Sequence, residues 1–231
     1  MPLIAPHDIP YTCQYASPDR VAEYVHGEEP LEDDPRWRES GAESPAEYAH
    51  WAKRACGVVC VKMAVEALAG TPPRPLMDWV REGLALDGYL TELRPDRPER
   101  PIEKGWKHAA LAVLAAQHGL DARLAAGMSL ADLTAHLRDG RVVIASVSSE
   151  LGEDGPVTRS AGHLVVISGA EVDDGGAVQA VTLHNPSGRT AALQAGARIP
   201  AERFAAGFSG RGIVISAPRR TRTAPRSPAQ S

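Results

Sequence analysis

No stretch of this 231-residue chain stays apolar for the roughly 18 residues that a membrane span requires, so no membrane partner is expected. Residues 1–10 lack both a basic region and a long apolar run, so they do not read as an export signal. Cysteine is scarce and odd in number, with three in all, which fits free thiols in a reducing cytoplasm better than a disulfide framework. No Cys/His spacing resembles a zinc site, and neither a dinucleotide fingerprint nor a phosphate loop is present, so no metal or cofactor is expected. No internal repeat is visible.

Acidic residues are missing from the C-terminal end: residues 218–227 hold four arginines and no carboxylate. Because the formal net charge is −4, the remainder of the chain is near −8, which argues against nucleic acid as a main partner. The basic end, 218–231, cannot bury apolar area and is expected to be a disordered tail. The length and a hydrophobic content of 43% suit one domain over 1–217.

Hydrophobic period changes part-way along the chain. Helices are expected over 17–25 (Ser17 as cap), 44–51, 56–70, 77–86, 105–118 and 129–137, the last opened by a Ser129/Asp132 capping box. Residues 94–101 are a charged, proline-broken loop. After Gly140, strands are expected over 142–147, 164–167, 178–183 and 213–215. Helices followed by strands predict an α+β protein with a helical lobe over about 1–140 and a β lobe over about 141–217.

Three residues at the tips of these elements suggest chemistry. Cys56 opens a helix, where unpaired amides and the helix dipole favour thiolate. Gly57 behind it would let backbone and substrate approach closely. His163 begins a strand and Asn185 ends the next, with the turn signal Asp173-Asp174-Gly175-Gly176 between them. A hairpin centred on residue 174 sets His163 and Asn185 side by side, where the amide can orient the imidazole. Cys60, one turn beyond Cys56, reads as core. His184 alternates to the opposite face from Asn185. An oxyanion would need a donor beside the Cys56 amide. Gln14 is the candidate, with a surface glutamine in an extended segment as the competing reading, and His50 is the other candidate.

In order and spacing, Cys56-Gly57, Gly162-His163 with its apolar strand, and Asn185-Pro186 resemble the bacteriocin-processing (double-glycine leader) peptidases and their stand-alone relatives in the papain-like superfamily. The resemblance covers most of 52–188. It implies a papain-like fold with Cys56 as nucleophile, His163 as general base and acid, and Asn185 as orienter, acting on a peptide or small amide. Two departures stand out. The family's glutamine usually lies a few residues before the cysteine, so Gln14 requires an insertion over 15–50, and Asn185 replaces the Asp typical of leader peptidases. A thioester-forming transpeptidase or amide ligase, and a non-catalytic peptide-binding module, are the alternatives. The acidic group at 28–34 would favour basic substrates if it faced the site, and is otherwise a solvated loop.

Overall fold

The computed structural model describes residues 2–97 and 101–218. The basic end beyond 218, expected to be disordered, lies outside the described residues. Helices dominate the first part: α1 (Val21–His26), α2 (Pro45–Ala52), α3 (Cys56–Ala69), α4 (Leu76–Ala85), α5 (His108–Gln117) and α6 (Leu130–Arg138), with α7 (Ala201–Gly207) near the end. Seven strands form one antiparallel sheet: β1 (Leu3–Ile4), β4 (Asp121–Ala125), β5 (Val142–Val147), β6 (His163–Val172), β7 (Val178–His184), β8 (Ala197–Pro200) and β9 (Phe208–Ser216). Its order is β4-β9-β5-β6-β7-β8, and β1 pairs with the far half of β6. The fold is α+β, with the thiol on the opening turn of a helix, the histidine at the start of β6 and the asparagine just past the end of β7. The sheet also recruits β1 and β4 from before residue 140.

Strand β5 is buried along its whole length because both faces of the sheet are covered. Ile144, Leu164, Val166, Ile213 and Ile215 pack with α3, α4 and α5 into one core. The alternate residues, Val143, Ala145, Val165, Ile167 and Val214, pack with Leu133, Leu137 and Phe204 into a second. This two-sided burial explains a continuous apolar run where a half-buried strand would alternate.

Several expectations need correction. The stretch 105–118 is not one helix: Ile102–Trp106 is a strand, β3, paired with β2 (Tyr89–Glu92), and the helix starts at His108. Trp106 is buried because its ring stacks in a cluster with Trp51 and Tyr89, centroids 6.1 and 5.2 Å away. Ser17 makes no cap bond; its hydroxyl donates to Asp34 at 2.7 Å instead. Asp34 is itself buried, and it also accepts from Tyr48 and from the Arg36 amide. Burial alone would raise its carboxyl, but these hydrogen bonds hold it below the usual range. The Ser129/Asp132 capping box forms as expected.

Residues 15–50, the insertion the resemblance required, fold on a small core of their own, Tyr15, Val21, Tyr24, Leu31 and Tyr48. Among the described residues no helix is long and apolar enough to cross a membrane.

Candidate active site

Helix α3 presents Cys56 as its first residue. The residue before it, Ala55, offers no side-chain cap, so the opening amides are left for other partners. The amide of Leu164 on β6, followed by those of Gly57 and Cys56 at the helix start, favours thiolate at the sulfur. Burial opposes them and wins, so the thiol stays above its ordinary value. Cys56 is nonetheless half-buried, open to the cleft that its helix end helps to form. The lead-in is pinned by the Trp106 indole N–H, which donates to the Arg54 carbonyl at 2.7 Å.

Gly57 has a different purpose from the one expected. A Cβ there would lie 2.9 Å from Leu111 Cδ1 and 3.1 Å from Trp106, so glycine lets α3 lie against Trp106 and α5. It is buried and does not line the cleft.

His163 opens β6 after Gly162, whose φ of +106° few side-chain-bearing residues adopt. Its Nε2 lies 2.8 Å from Asn185 Oδ1. That oxygen also accepts the Ser187 amide at 3.0 Å, which can only donate, so the atom facing the ring is an acceptor. Nε2 therefore carries the proton, and Nδ1, which has no hydrogen-bond partner among the described residues, is the basic nitrogen. Burial pushes the His163 pKa down to about 4; the Asn185 contact raises it a little, and the Arg189 charge lowers it further.

The expected hairpin forms, but not in the expected register. β7 pairs Val166 with His184, so the same register carried to the strand end sets His163 opposite Ser187, with Asn185 two residues away on the diagonal. The turn is centred on residue 175, one beyond the expected 174, because Val172 pairs with Val178 and the Asp173 amide bonds the Ala177 carbonyl; the bulges between Ile167 and Gly169 and between Glu171 and Val172 offset one another. The ring and amide meet all the same because Asn185 leaves the strand. Its amide donates to the Gln194 carbonyl, and its own carbonyl accepts from Tyr11.

Sequence reasoning overlooked Ser187, whose hydroxyl lies 3.3 Å from His163 Nε2, and Arg189, which donates to the Ser149 and Ser187 carbonyls. The signal for Ser187 was available: an Asn two residues ahead favours a turn in which its side chain bonds the following backbone.

An N-terminal strap places Gln14. Its amide donates to the Pro186 carbonyl at 2.9 Å, and its side-chain Nε2 donates to the Ala52 carbonyl at 2.8 Å. Gln14 is buried between the Asn185-Pro186 turn and the run into Cys56, so it is not a surface residue. One Nε2 hydrogen is left over, and Oε1 is buried without a partner. His50 is exposed on α2, edge-on to Trp51, away from the cleft.

Cys13 lies on the same strap. It donates to the Pro186 carbonyl at 3.2 Å, and burial pushes its thiol up to about 11. Cys60 is fully buried core. His184 is satisfied on both sides, by the Ile9 carbonyl and the Gly196 amide.

Cys56 and His163 line one open cleft of about 1060 Å³, without a hydrogen bond between them among the described residues. Also among the described residues, no group of three or more His, Cys, Asp or Glu side chains is placed to hold a metal ion.

No family model matches the chain, and no curated protein does. Among solved structures it is similar to a C39-like peptidase from Bacillus anthracis, at 15% identity and a TM-score of 0.48, over 71% of this chain and 90% of the other. It is similar also to the double-glycine motif protease of an AMS/PCAT transporter solved with a leader peptide (16%, TM-score 0.43, 71% and 84%). A third is the peptidase domain of Streptococcus ComA, a bi-functional ABC transporter (12%, TM-score 0.46, 72% and 93%). At these identities and TM-scores the likeness assigns no activity to this chain.

Proposed function

We propose that the protein is a cysteine-dependent hydrolase that cleaves a peptide or amide bond through a thioester on Cys56. One observation carries the reading: a thiol at an uncapped helix start and an imidazole whose tautomer is set by a buried amide line the same cleft. Burial holds both groups neutral at pH 7, because it raises the thiol and lowers the ring.

His163 Nδ1 therefore acts as a general base, taking the thiol proton as sulfur attacks the substrate carbonyl. The Cys56 amide and the spare N–H of Gln14 hold the developing oxyanion. Collapse breaks the C–N bond, and the proton on Nδ1 leaves with the amine. Water then attacks the thioester, giving its proton to Nδ1, which returns it to the departing sulfur. Asn185 keeps Nε2 protonated throughout, so that only Nδ1 exchanges protons.

The test is turnover together with alkylation. Incubation with a mixed peptide pool, read by mass spectrometry, should yield fragments from the wild-type protein and none from Cys56→Ala. Stoichiometric labelling by iodoacetamide should map to Cys56. Fast labelling at Cys13 or Cys60, or fragments that persist in Cys56→Ala, would sink the assignment.

A further inference from the structure

The acidic group at 28–34 does not line the cleft. Asp34 is buried in the small N-terminal core, and Glu29 pairs with Arg20. The cleft itself has the opposite sign. Lys53, Arg54, Lys104, Lys107 and Arg211 line it, against Glu103 alone. Glu103 is already matched by Arg54 at 3.1 Å. Lys104 and Lys107 pair with Glu92 and Asp87, which are outside the cleft and 60% and 91% exposed, so those contacts exchange readily for another carboxylate. Lys53 and Arg211 are exposed and have no ion-pair partner among the described residues. In a chain whose charge without its basic end is near −8, two unpaired cations and two lysines held only by exposed partners along one cleft are a segregated field that attracts an anion.

We infer that the cleft selects acidic peptides, with Asp or Glu side chains flanking the bond presented to Cys56. The inference rests on the hydrolase reading for the word peptide, and on the cleft charge for the word acidic. The walls fit a peptide: besides the cations they hold Tyr89, Trp106 and Leu124, with Leu124 half exposed for apolar side chains between the carboxylates.

Cys56→Ala protein, full length, would be titrated with rhodamine-labelled ten-residue peptides of one scaffold carrying Glu, Gln or Lys at alternate positions, followed by anisotropy at 50 and 300 mM salt. The Glu peptide should bind at least about ten-fold tighter than the Gln peptide, and raised salt should narrow that difference. Adding Lys53→Gln or Arg211→Gln should weaken the Glu peptide about five-fold each, the worth of one exposed ion pair. Arg36→Gln, outside the cleft, should leave it unchanged. Equal binding of Glu and Gln peptides, preference for Lys, or displacement of the Glu peptide by a single-stranded oligonucleotide at equal concentration would overturn the inference. Wild-type protein separates the two layers. Iodoacetamide-sensitive cleavage of Gln and Glu peptides at equal kcat/KM would leave a hydrolase without acidic selectivity. Tight binding of the Glu peptide with no cleavage would keep the acidic site and remove the hydrolase.

Discussion

Replacing Asn185 with alanine tests the arrangement at its centre. Asn185 is wholly buried, and its Oδ1 is the acceptor for two donors, His163 Nε2–H at 2.8 Å and the Ser187 amide at 3.0 Å. Asn185→Ala strands the Ser187 amide and leaves His163 Nε2–H only the Ser187 hydroxyl at 3.3 Å, at about 1–3 kcal/mol for each buried donor fully unpaired. The same substitution removes Nδ2, a buried NH2 that has no partner, and so returns a comparable amount for one group. The net loss is about 2 kcal/mol, or roughly 4–8 °C in melting temperature for a chain of this length. A second effect falls on the ring. With only the Ser187 hydroxyl left near Nε2, a group that donates as well as accepts, the Nδ1–H tautomer competes, and Nδ1–H cannot take a proton from sulfur. Turnover should fall on the order of 100-fold, beyond anything the stability loss explains at 25 °C. Urea denaturation at pH 7 reads the first effect, and nitrogen-15 imidazole spectra read the second, with an Nε2–H signature in the wild type and a mixture in the variant. Unchanged stability together with an unchanged tautomer would refute the role given to Asn185.

Three further outcomes follow from the same geometry. His163 has a folded pKa of about 4 against an ordinary 6.5, so between these values the unfolded chain binds a proton the native one does not. Stability is lost as pH falls through that window, and denaturation at pH 7 and 4.5 should show His163→Gln losing about 2–3 kcal/mol less than wild type; equal losses would contradict it. Gln14→Ala should lower kcat roughly 100-fold with KM little changed if its spare N–H serves the oxyanion, whereas a tether alone would cost only the Ala52 contact, about 1 kcal/mol of stability. The rate of Cys56 alkylation by iodoacetamide should climb continuously from pH 6 past 9, since burial holds the thiol above its ordinary value of 9.0; a plateau between pH 5 and 8 would mean a pre-formed thiolate.

The parts of this protein that could be read from sequence are those whose causes are local. Cys56–Ala69 was legible because small and apolar residues, interrupted only by Lys62 and Glu66, run to Gly70 in the left-handed region, and the Ser129/Asp132 box announces its helix by composition. The β2–β3 hairpin was hidden. Trp106 is buried against residues on α3 and α4, so it mimics the spacing of a helix that starts only two residues later. The meeting of His163 with Asn185 was foreseen from a turn, yet its register was not, because the Asp-Asp-Gly-Gly signal does not say which residue centres the turn, and the chain closes about residue 175. Gln14 was harder still. Its place depends on a strap held by the Pro186 carbonyl from 172 positions away and by Ala52, contacts that only the closed fold creates. Ser187 carried a readable signal, and Arg189 carried none.

The electrostatics of the site decide how the thiol is activated. With Cys56 above 9.0 and His163 about 4, moving the proton between them at rest is uphill by at least about 7 kcal/mol. Charges brought to 4 Å in a half-buried setting return about 4 kcal/mol of that. Burial therefore disfavours a resting ion pair, and in the proposed reaction the proton moves as the carbon–sulfur bond forms, when the negative charge passes to the carbonyl oxygen. In the proposed reaction that oxygen would meet the Cys56 amide at the uncapped start of α3 and the side-chain amide of Gln14. The two pH dependences consequently separate. Turnover keeps an acid limb near pH 4, where His163 loses its base form, while alkylation follows the thiol and continues to rise past pH 9. A pre-formed thiolate–imidazolium pair would give both reactions the same acid limb, so their separation distinguishes a general base from an ion pair.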